Sequence, residues 1–92
     1  MRPQDRRGRL ILVIGSEGPT DDEVRQTFES AGFTLKACTM LYNNAEQHRQ
    51  LTCDLRWRAL PDDVSQPEFL AKWARQPGVV RVEWIPADIS GA

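Results

Sequence analysis

The residue types that could do chemistry are few and far apart in this sequence. The two cysteines are Cys38 and Cys53, and the one histidine is His48, two residues after Glu46. A metal site needs several converging ligands, so Glu46 and His48 alone predict a solvated loop and not a metal centre. With only two cysteines and no export signal, we expect free thiols in a reducing compartment.

The carboxylates form two clusters, and each has a structural explanation. The run from Asp21 to Glu23 stands where a helix is predicted to begin, and acidic side chains are favourable at that end of a helix. Asp62 and Asp63 fall in a predicted linker. Neither cluster shows the paired carboxylates of acid–base catalysis, and no glycine-rich phosphate loop is present. We therefore predict that the chain is not an enzyme and has no cofactor or metal.

Length, composition and charge indicate one ordinary globular domain. The chain has 92 residues, of which 40% are hydrophobic and 27% charged, with a formal net charge of -1. This length suits one modest core, and the charge gives no global preference for nucleic acid or anionic lipid. No apolar segment approaches the roughly 18 residues of a membrane helix, so we expect the chain as given to be soluble.

The apolar run Leu10 to Ile14 organises the predicted fold. Leu10, Leu12 and Ile14 alternate with Ile11 and Val13, so both faces of an extended segment would be apolar here. This pattern is typical of a strand in the middle of a sheet.

Polar segments flank the predicted domain, which spans residues 9–86. Residues 1–8 are rich in arginine and predict a flexible basic arm, or alternatively a linker that follows a membrane segment. Residues 87–92 predict a loose tail.

Two amphipathic helices are predicted. The first has Thr20 or Asp21 as its N-cap, Glu23 as the partner in a capping box, and Gly32 as its stop signal. The second follows a linker, with Ser65 as its N-cap, and ends at a Pro-Gly pair. The residues predicted to be buried on these helices are Val24, Phe28, Ala31, Phe69, Leu70, Trp73 and Ala74.

Three further strands are predicted at residues 33–42, 50–59 and 79–85, the first two joined by a polar hairpin loop. In the register that buries their apolar sets, Cys53 is a small core residue and Cys38 lies on the opposite face, so no disulfide is expected. A slip of one residue would align the cysteines but expose the second strand's apolar set. The side chains predicted to face the core are Phe33, Leu35, Ala37, Thr39, Leu41, Leu51, Cys53, Leu55, Trp57, Ala59, Val80, Val82 and Trp84.

The predicted element order is β-α-β-β-α-β. With right-handed crossovers this order gives an α+β, ferredoxin-like fold: a four-stranded antiparallel sheet of order 4-1-3-2 with both helices on one face. The other face could bind RNA through aromatic side chains, but the third strand offers Thr52, Asp54 and Arg56 there. We therefore expect no nucleic-acid partner.

Residues 9–85 resemble an ACT-type regulatory domain. The resemblance rests on the apolar first strand, the glycine turn after it, the Ala-Gly-Phe at 31–33, and the run Gln-Pro-Gly-Val-Val-Arg-Val-Glu-Trp at 76–84. That run is similar to the end of the soluble C-terminal domain of the MgtC/SapB family of bacterial inner-membrane proteins. In that family, Pro-Gly-Val and then Val-x-Trp follow the second helix.

The resemblance implies a non-catalytic regulatory or protein-interaction domain on the cytoplasmic side of the bacterial inner membrane. Its parent protein would be tied to magnesium-limited growth and virulence. The alternative is an effector sensor, because ligand-binding ACT domains offer backbone amides after the first strand to an amino acid. That role points to Gly15, Ser16, Glu17 and Gly18 here. Pro19 removes one amide from this turn, which departs from the ACT pattern and favours the MgtC-like interpretation.

The open face of the predicted sheet is a candidate interface. Ile11 and Val13 point to it, with Cys38, Met40 and Tyr42 predicted on the same face two strands away. An exposed apolar patch on a small domain often marks a contact surface. We expect it to dock a second copy of the chain or the membrane domain of a parent protein. Alternatively, the chain's own termini fold over Ile11 and Val13.

Overall fold

The computed structural model describes residues 2–63 and 66–87. The elements, in chain order, are β1 Gln4–Ile14, α1 Asp21–Ser30, β2 Thr34–Asn43, β3 His48–Ala59, α2 Glu68–Ala74 and β4 Val79–Pro86. Within the described residues, no helix has the length and apolar character needed to cross a membrane.

The four strands form one antiparallel sheet in the order β2-β3-β1-β4. This is the predicted order 4-1-3-2 counted from the other edge, with β1 and β3 in the centre. Buried side chains from α1, α2, β1 and β3 form one cluster, so both helices cover the same face of the sheet. The predicted α+β architecture is confirmed, and it is compatible with the ferredoxin-like arrangement.

The core lies between this face and the helices. Phe28 of α1 meets Phe69 and Trp73 of α2 in edge-on contacts, with ring centroids 5.5 and 5.4 Å apart. Such contacts add to the free energy of burial because ring edges and faces carry opposite partial charge. The buried apolar residues are Leu10, Leu12, Ile14, Val24, Phe28, Leu51, Cys53, Leu55, Phe69 and Trp73.

The helix ends agree only partly with the predictions. Thr20 is the N-cap of α1, and its Oγ1 accepts a 3.2 Å hydrogen bond from the Glu23 amide, as the capping box predicts. Ala31 and Ala74 are exposed, so their predicted burial is wrong: α1 ends before Ala31, which is its C-cap, and Ala74 is the last residue of α2. Ser65 lies outside the described residues, and α2 has Pro67 at its N-cap without a side-chain hydrogen bond.

Strand β1 begins six residues before the apolar run, at Gln4. Gln4 pairs with Ala59 and Arg9 with Asp54, so residues 4–8 belong to the sheet and the predicted flexible arm is wrong over that range. The physical reason is β3, which continues to Ala59 and satisfies its backbone groups by pairing with β1. At the other end of the chain, the Ala87 amide bonds to the β1 backbone, and residues 88–92 lie outside the described part.

Strand β2 contains a bulge that reverses its faces. Leu35 pairs with Leu55, but the next pair is Ala37 with Asp54, so one residue is left without a partner on β3. After a bulge, alternating side chains change sides. The predicted inward positions of Ala37, Thr39 and Leu41 are therefore wrong, and Leu41 is 63% exposed.

A second irregularity, in the pairing of β1 with β4, turns one further residue away from its predicted inward position. Ile14 pairs with Val79 and Val13 with Arg81, which leaves Val80 unpaired and 54% exposed, contrary to its prediction. The indoles of Trp57 and Trp84 pack together at the rim of the core, with ring centroids 5.5 Å apart. Both are partly buried, as is Ala59, so the core stops short of this end of the sheet.

Candidate functional site

The face of the sheet opposite the helices has no covering element among residues 2–63 and 66–87. We call it the open face. It carries Asp5, Arg7, Arg9, Ile11 and Val13 of β1, since Leu10, Leu12 and Ile14 point to the core. Cross-strand pairing then assigns further members, which include Ala37, Thr39, Leu41, Gln50, Thr52, Asp54, Arg56, Arg58, Arg81, Glu83 and Ile85.

Ile11 and Val13 lie at the centre of the open face, as predicted. Thr52 and Glu83 flank Ile11 in the neighbouring strands, while Gln50 and Arg81 flank Val13. The Arg81 guanidinium donates a 2.6 Å hydrogen bond to the Glu83 carboxylate, so two long side chains stand beside the apolar pair. Both apolar side chains are partly buried. This part of the open face is therefore an apolar pair within a polar frame.

The other three predicted interface residues lie on the opposite side of the sheet. The bulge in β2 places Cys38 across from Cys53 and Met40 across from Leu51, both of which face the core, and Tyr42 follows the same alternation. Their predicted position on the open face is therefore wrong. Thr39 and Leu41 occupy the open face of β2 instead.

One end of the open face is strongly basic. Arg7 of β1 pairs directly with Arg56 of β3, and like charges in this position destabilise a sheet. Arg9 is neutralised by Asp54 at 3.0 Å. By contrast, no described carboxylate lies within ion-pair distance of Arg7 or Arg56.

These side chains surround a shallow depression of about 470 Å³, to which Lys36, Asp54 and Ile85 also contribute. Four cations and one carboxylate give it a net charge of +3. We call Arg7, Arg9, Lys36 and Arg56 the basic patch. The sequence prediction missed it because Arg7 was assigned to a flexible arm, although the matching run of alternating arginines in the third strand was a usable signal.

The turn proposed as an alternative ligand site is closed by its own contacts. The Gly15 amide donates to the Gly78 carbonyl at 2.7 Å, and the Gly18 amide donates to the Gly15 carbonyl at 3.1 Å. Gly78 has φ of +86°, and a Cβ built on it would lie 2.4 Å from the Gly18 Cα. Only glycine fits both requirements. Two of the four amides are thus used inside the fold.

Beside this turn is an open cleft of about 250 Å³ that includes Ser16, Glu17, Glu46 and His48. His48 Nδ1 lies 3.2 Å from Glu46 Oε2. The structure thus places Ser16 and Glu17 of this turn beside Glu46 and His48 of the hairpin loop, which the sequence analysis considered separately. In the described part of the chain, no three His, Cys, Asp or Glu side chains are grouped closely enough to hold a metal ion.

The two cysteines lie next to each other on neighbouring strands. Their Sγ atoms are 3.6 Å apart, and both are free thiols. Burial, and then the neighbouring Cys38 thiol, raise the pKa of Cys53 far above its ordinary value. The desolvated thiolate is unfavourable, so Cys53 stays protonated in the folded protein.

Comparisons with known proteins do not assign this chain to a family. No family model, no curated protein and no solved structure matches it.

Proposed function

We propose that this chain is a non-catalytic regulatory domain that binds another protein through its open face. The proposal includes the parent that the resemblance implies, an MgtC-like inner-membrane protein linked to magnesium-limited growth and virulence, with this domain on the cytoplasmic side. One observation carries the binding role. Arg7 and Arg56 are held side by side, without a carboxylate, on a sheet face that no described helix covers.

This arrangement costs the free protein stability, because two like charges face each other across adjacent strands. A partner that supplies carboxylates would relieve the repulsion and gain charge-assisted hydrogen bonds from both guanidinium groups. Ile11 and Val13 lie further along the same strand and offer apolar contact area. The combination of a cationic end and an apolar centre suits a protein surface with acidic and aliphatic side chains.

A second copy of the chain fits this surface poorly. The open face carries the carboxylates Asp5, Asp54 and Glu83, and each already pairs with an arginine on the same face. Two open faces in contact would bring unpaired cations to a surface on which each described carboxylate is already paired. We therefore favour a different protein, or the membrane domain of the parent protein, over a homodimer.

The effector-sensor alternative has less support. It requires free backbone amides at Gly15 to Gly18, and two of these amides already donate to carbonyls of the chain. The neighbouring cleft has no buried polar group left without a partner in the described residues. An amino acid would find little there to replace the hydrogen bonds that it makes with water.

The binding role is tested with a short peptide in which glutamates alternate with valines, and a matched peptide with glutamines in place of the glutamates. Calorimetry at low salt should show binding of the acidic peptide alone. The double variant Arg7→Ala/Arg56→Ala should bind it about tenfold or more weakly, equivalent to about 1.4 kcal/mol. The control is Arg25→Ala/Arg75→Ala, which removes the same charge from exposed positions in α1 and at the C-cap of α2 and should bind as the wild type does.

Three results would contradict the proposal. They are equal binding by the two double variants, binding to vesicles of anionic phospholipid without binding to the peptide, and self-association that the Arg7→Ala/Arg56→Ala variant abolishes. The parent protein is tested by reading the native gene upstream of Met1. Hydrophobic spans there would support it, and an enzyme or DNA-binding domain would favour the sensor.

A further inference from the structure

Cys38 and Cys53 face each other on adjacent antiparallel strands. Cys38 lies on the edge strand β2 and Cys53 on the central strand β3, in direct register. Their Sγ atoms are 3.6 Å apart, which is contact distance for two thiols. The bulge in β2 creates this pairing, since a regular strand would turn Cys38 to the open face.

The backbone at this position has the dimensions that a disulfide needs. Directly opposed residues in an antiparallel pair have Cα atoms about 4.5 to 5.5 Å apart. Disulfides span Cα separations of about 4.4 to 6.8 Å. A bond between Cys38 and Cys53 therefore requires rotation of the two side chains and no movement of the strands.

The two thiols differ sharply in access. Cys38 is exposed, whereas Cys53 is only 1% exposed. Both border a cavity of about 230 Å³ between α1 and the sheet, which Asp21 and Arg25 reach from the α1 side and Met40 from β2. The raised pKa of Cys53, caused mainly by burial, also keeps it from acting first.

We propose that Cys38 and Cys53 form a reversible thiol–disulfide pair that exchanges with a small-molecule disulfide of the glutathione class. The Cys38 thiolate attacks one sulfur of the small disulfide, and that bond breaks to release one small thiol after protonation. Cys53 then attacks Cys38 Sγ as its proton passes to the departing small thiolate, which leaves as the second small thiol, and the Cys38–Cys53 disulfide remains. The protein loses two electrons and two protons, and the small disulfide gains them.

The bond would fasten an exposed edge strand to the centre of the sheet. Most β2 side chains are exposed, so this strand is the one that the core holds least. In a reducing compartment the pair remains as thiols, and a rise in small-molecule disulfide converts it. The pair thus offers an oxidation-dependent change in the edge of the sheet, on the strand that also carries Lys36 of the basic patch.

The test treats the folded protein with oxidised glutathione and measures intact mass after an acid quench. The wild type should lose two hydrogens and carry little glutathione, because Cys53 displaces it. Cys53→Ala should instead accumulate one glutathione on Cys38. Cys38→Ser should stay unmodified, since Cys53 is buried. A dithiol reductant should return the wild type to its starting mass.

Circular dichroism of each variant confirms that it is folded before treatment, and Cys53→Val replaces Cys53→Ala if the smaller side chain unfolds the protein. The proposal is overturned by any of three results. They are a wild type that keeps glutathione to the same extent as the Cys53 variant, a wild type that does not react, and a Cys38→Ser variant that reacts as fast as the wild type.

Discussion

The two faces of the sheet differ in what holds their side chains in place. On the covered face, Leu10, Leu12 and Ile14 have no exposed surface and pack against both helices. On the open face of the same strand, Arg7 stands opposite a second arginine, and Ile11 and Val13 have only polar flanks. The covered face is built for stability. The open face retains an unfavourable charge pair, which is typical of a surface used for recognition.

The largest difference between the faces should appear when the same charge is added to adjacent residues. Leu12→Arg buries an unpaired cation in the core and should cost about 4 kcal/mol or more, enough to unfold a domain of ordinary stability. Ile11→Arg adds the charge to the open face and should cost less than about 1 kcal/mol. Urea unfolding followed by circular dichroism measures both. Similar losses of unfolding free energy in Leu12→Arg and Ile11→Arg would mean that the open face is covered.

Truncation of two tryptophans compares the core with its rim. Trp73→Ala removes a buried indole that is 1% exposed and should cost about 3–5 kcal/mol. Trp57 is partly exposed and contacts Phe33 and Trp84 at centroid distances of 4.9 and 5.5 Å, so Trp57→Ala should cost about 2 kcal/mol. The same urea measurement applies. If Trp57→Ala lowered the free energy of unfolding as much as Trp73→Ala, Trp57 would belong to the core and not to its rim.

Alkaline pH should weaken the covered face through Cys53. Burial raises the pKa of this thiol in the folded state above its ordinary value of 9.0, so the unfolded chain releases the proton first. The contribution to stability is complete below pH 9.0 and decreases as the pH rises further. Thermal unfolding between neutral and alkaline pH should show a steeper fall for the wild type than for Cys53→Ala. Parallel curves would contradict burial of this thiol.

A charge reversal on the open face should stabilise the protein. Arg7→Glu replaces the repulsion with Arg56 by a cross-strand ion pair and should add about 0.2–1 kcal/mol to the free energy of unfolding. Arg9→Glu is the matched control, since it breaks the 3.0 Å contact with Asp54 and sets two carboxylates together. It should be destabilising by a similar amount. Destabilisation by both variants would show that Arg7 supports the fold.

Addition of Mg²⁺ should have the smallest effect, because we expect no tight binding of this ion. The densest carboxylates begin α1, where Arg49 lies 3.1 Å from Asp21 and Arg25 lies 3.6 Å from Asp22. Magnesium prefers free oxygen ligands in octahedral geometry and gives up its water reluctantly. Calorimetry should detect no binding with a Kd below about 10⁻⁵ M. Binding tighter than this would contradict the prediction and would indicate a direct role in magnesium sensing.

Hydrophobic periodicity was sufficient to predict the element order and the buried face of the central strands. It located Leu10, Leu12 and Ile14 in the core, because their spacing and apolar character act together. It failed at β2, where one extra residue after Leu35 reverses every later side chain. Such a bulge leaves no compositional mark, and the pairing of Cys38 with Cys53 depends on it.

The basic patch was missed for a different reason. Charged residues at 4–9 have little preference for strands, so the local pattern indicates an arm. The long partner strand β3 overrides that preference by offering backbone hydrogen bonds as far as Ala59. Only this pairing sets Arg7 beside Arg56. Local sequence therefore predicted the covered face of the central strands well, whereas the open face and the edge strands depend on long-range register.

Amide chemical shifts in NMR spectra, recorded as the acidic peptide is added, show directly whether the open face is the binding surface. We expect shifts at Arg7, Ile11, Val13 and Arg56, with α1 and α2 unchanged. In the same titration of Arg7→Ala/Arg56→Ala, the amide chemical shifts at positions 7, 11, 13 and 56 should not change. Shifts confined to the helices, or to the turn at residues 15–18, would show that the peptide binds elsewhere.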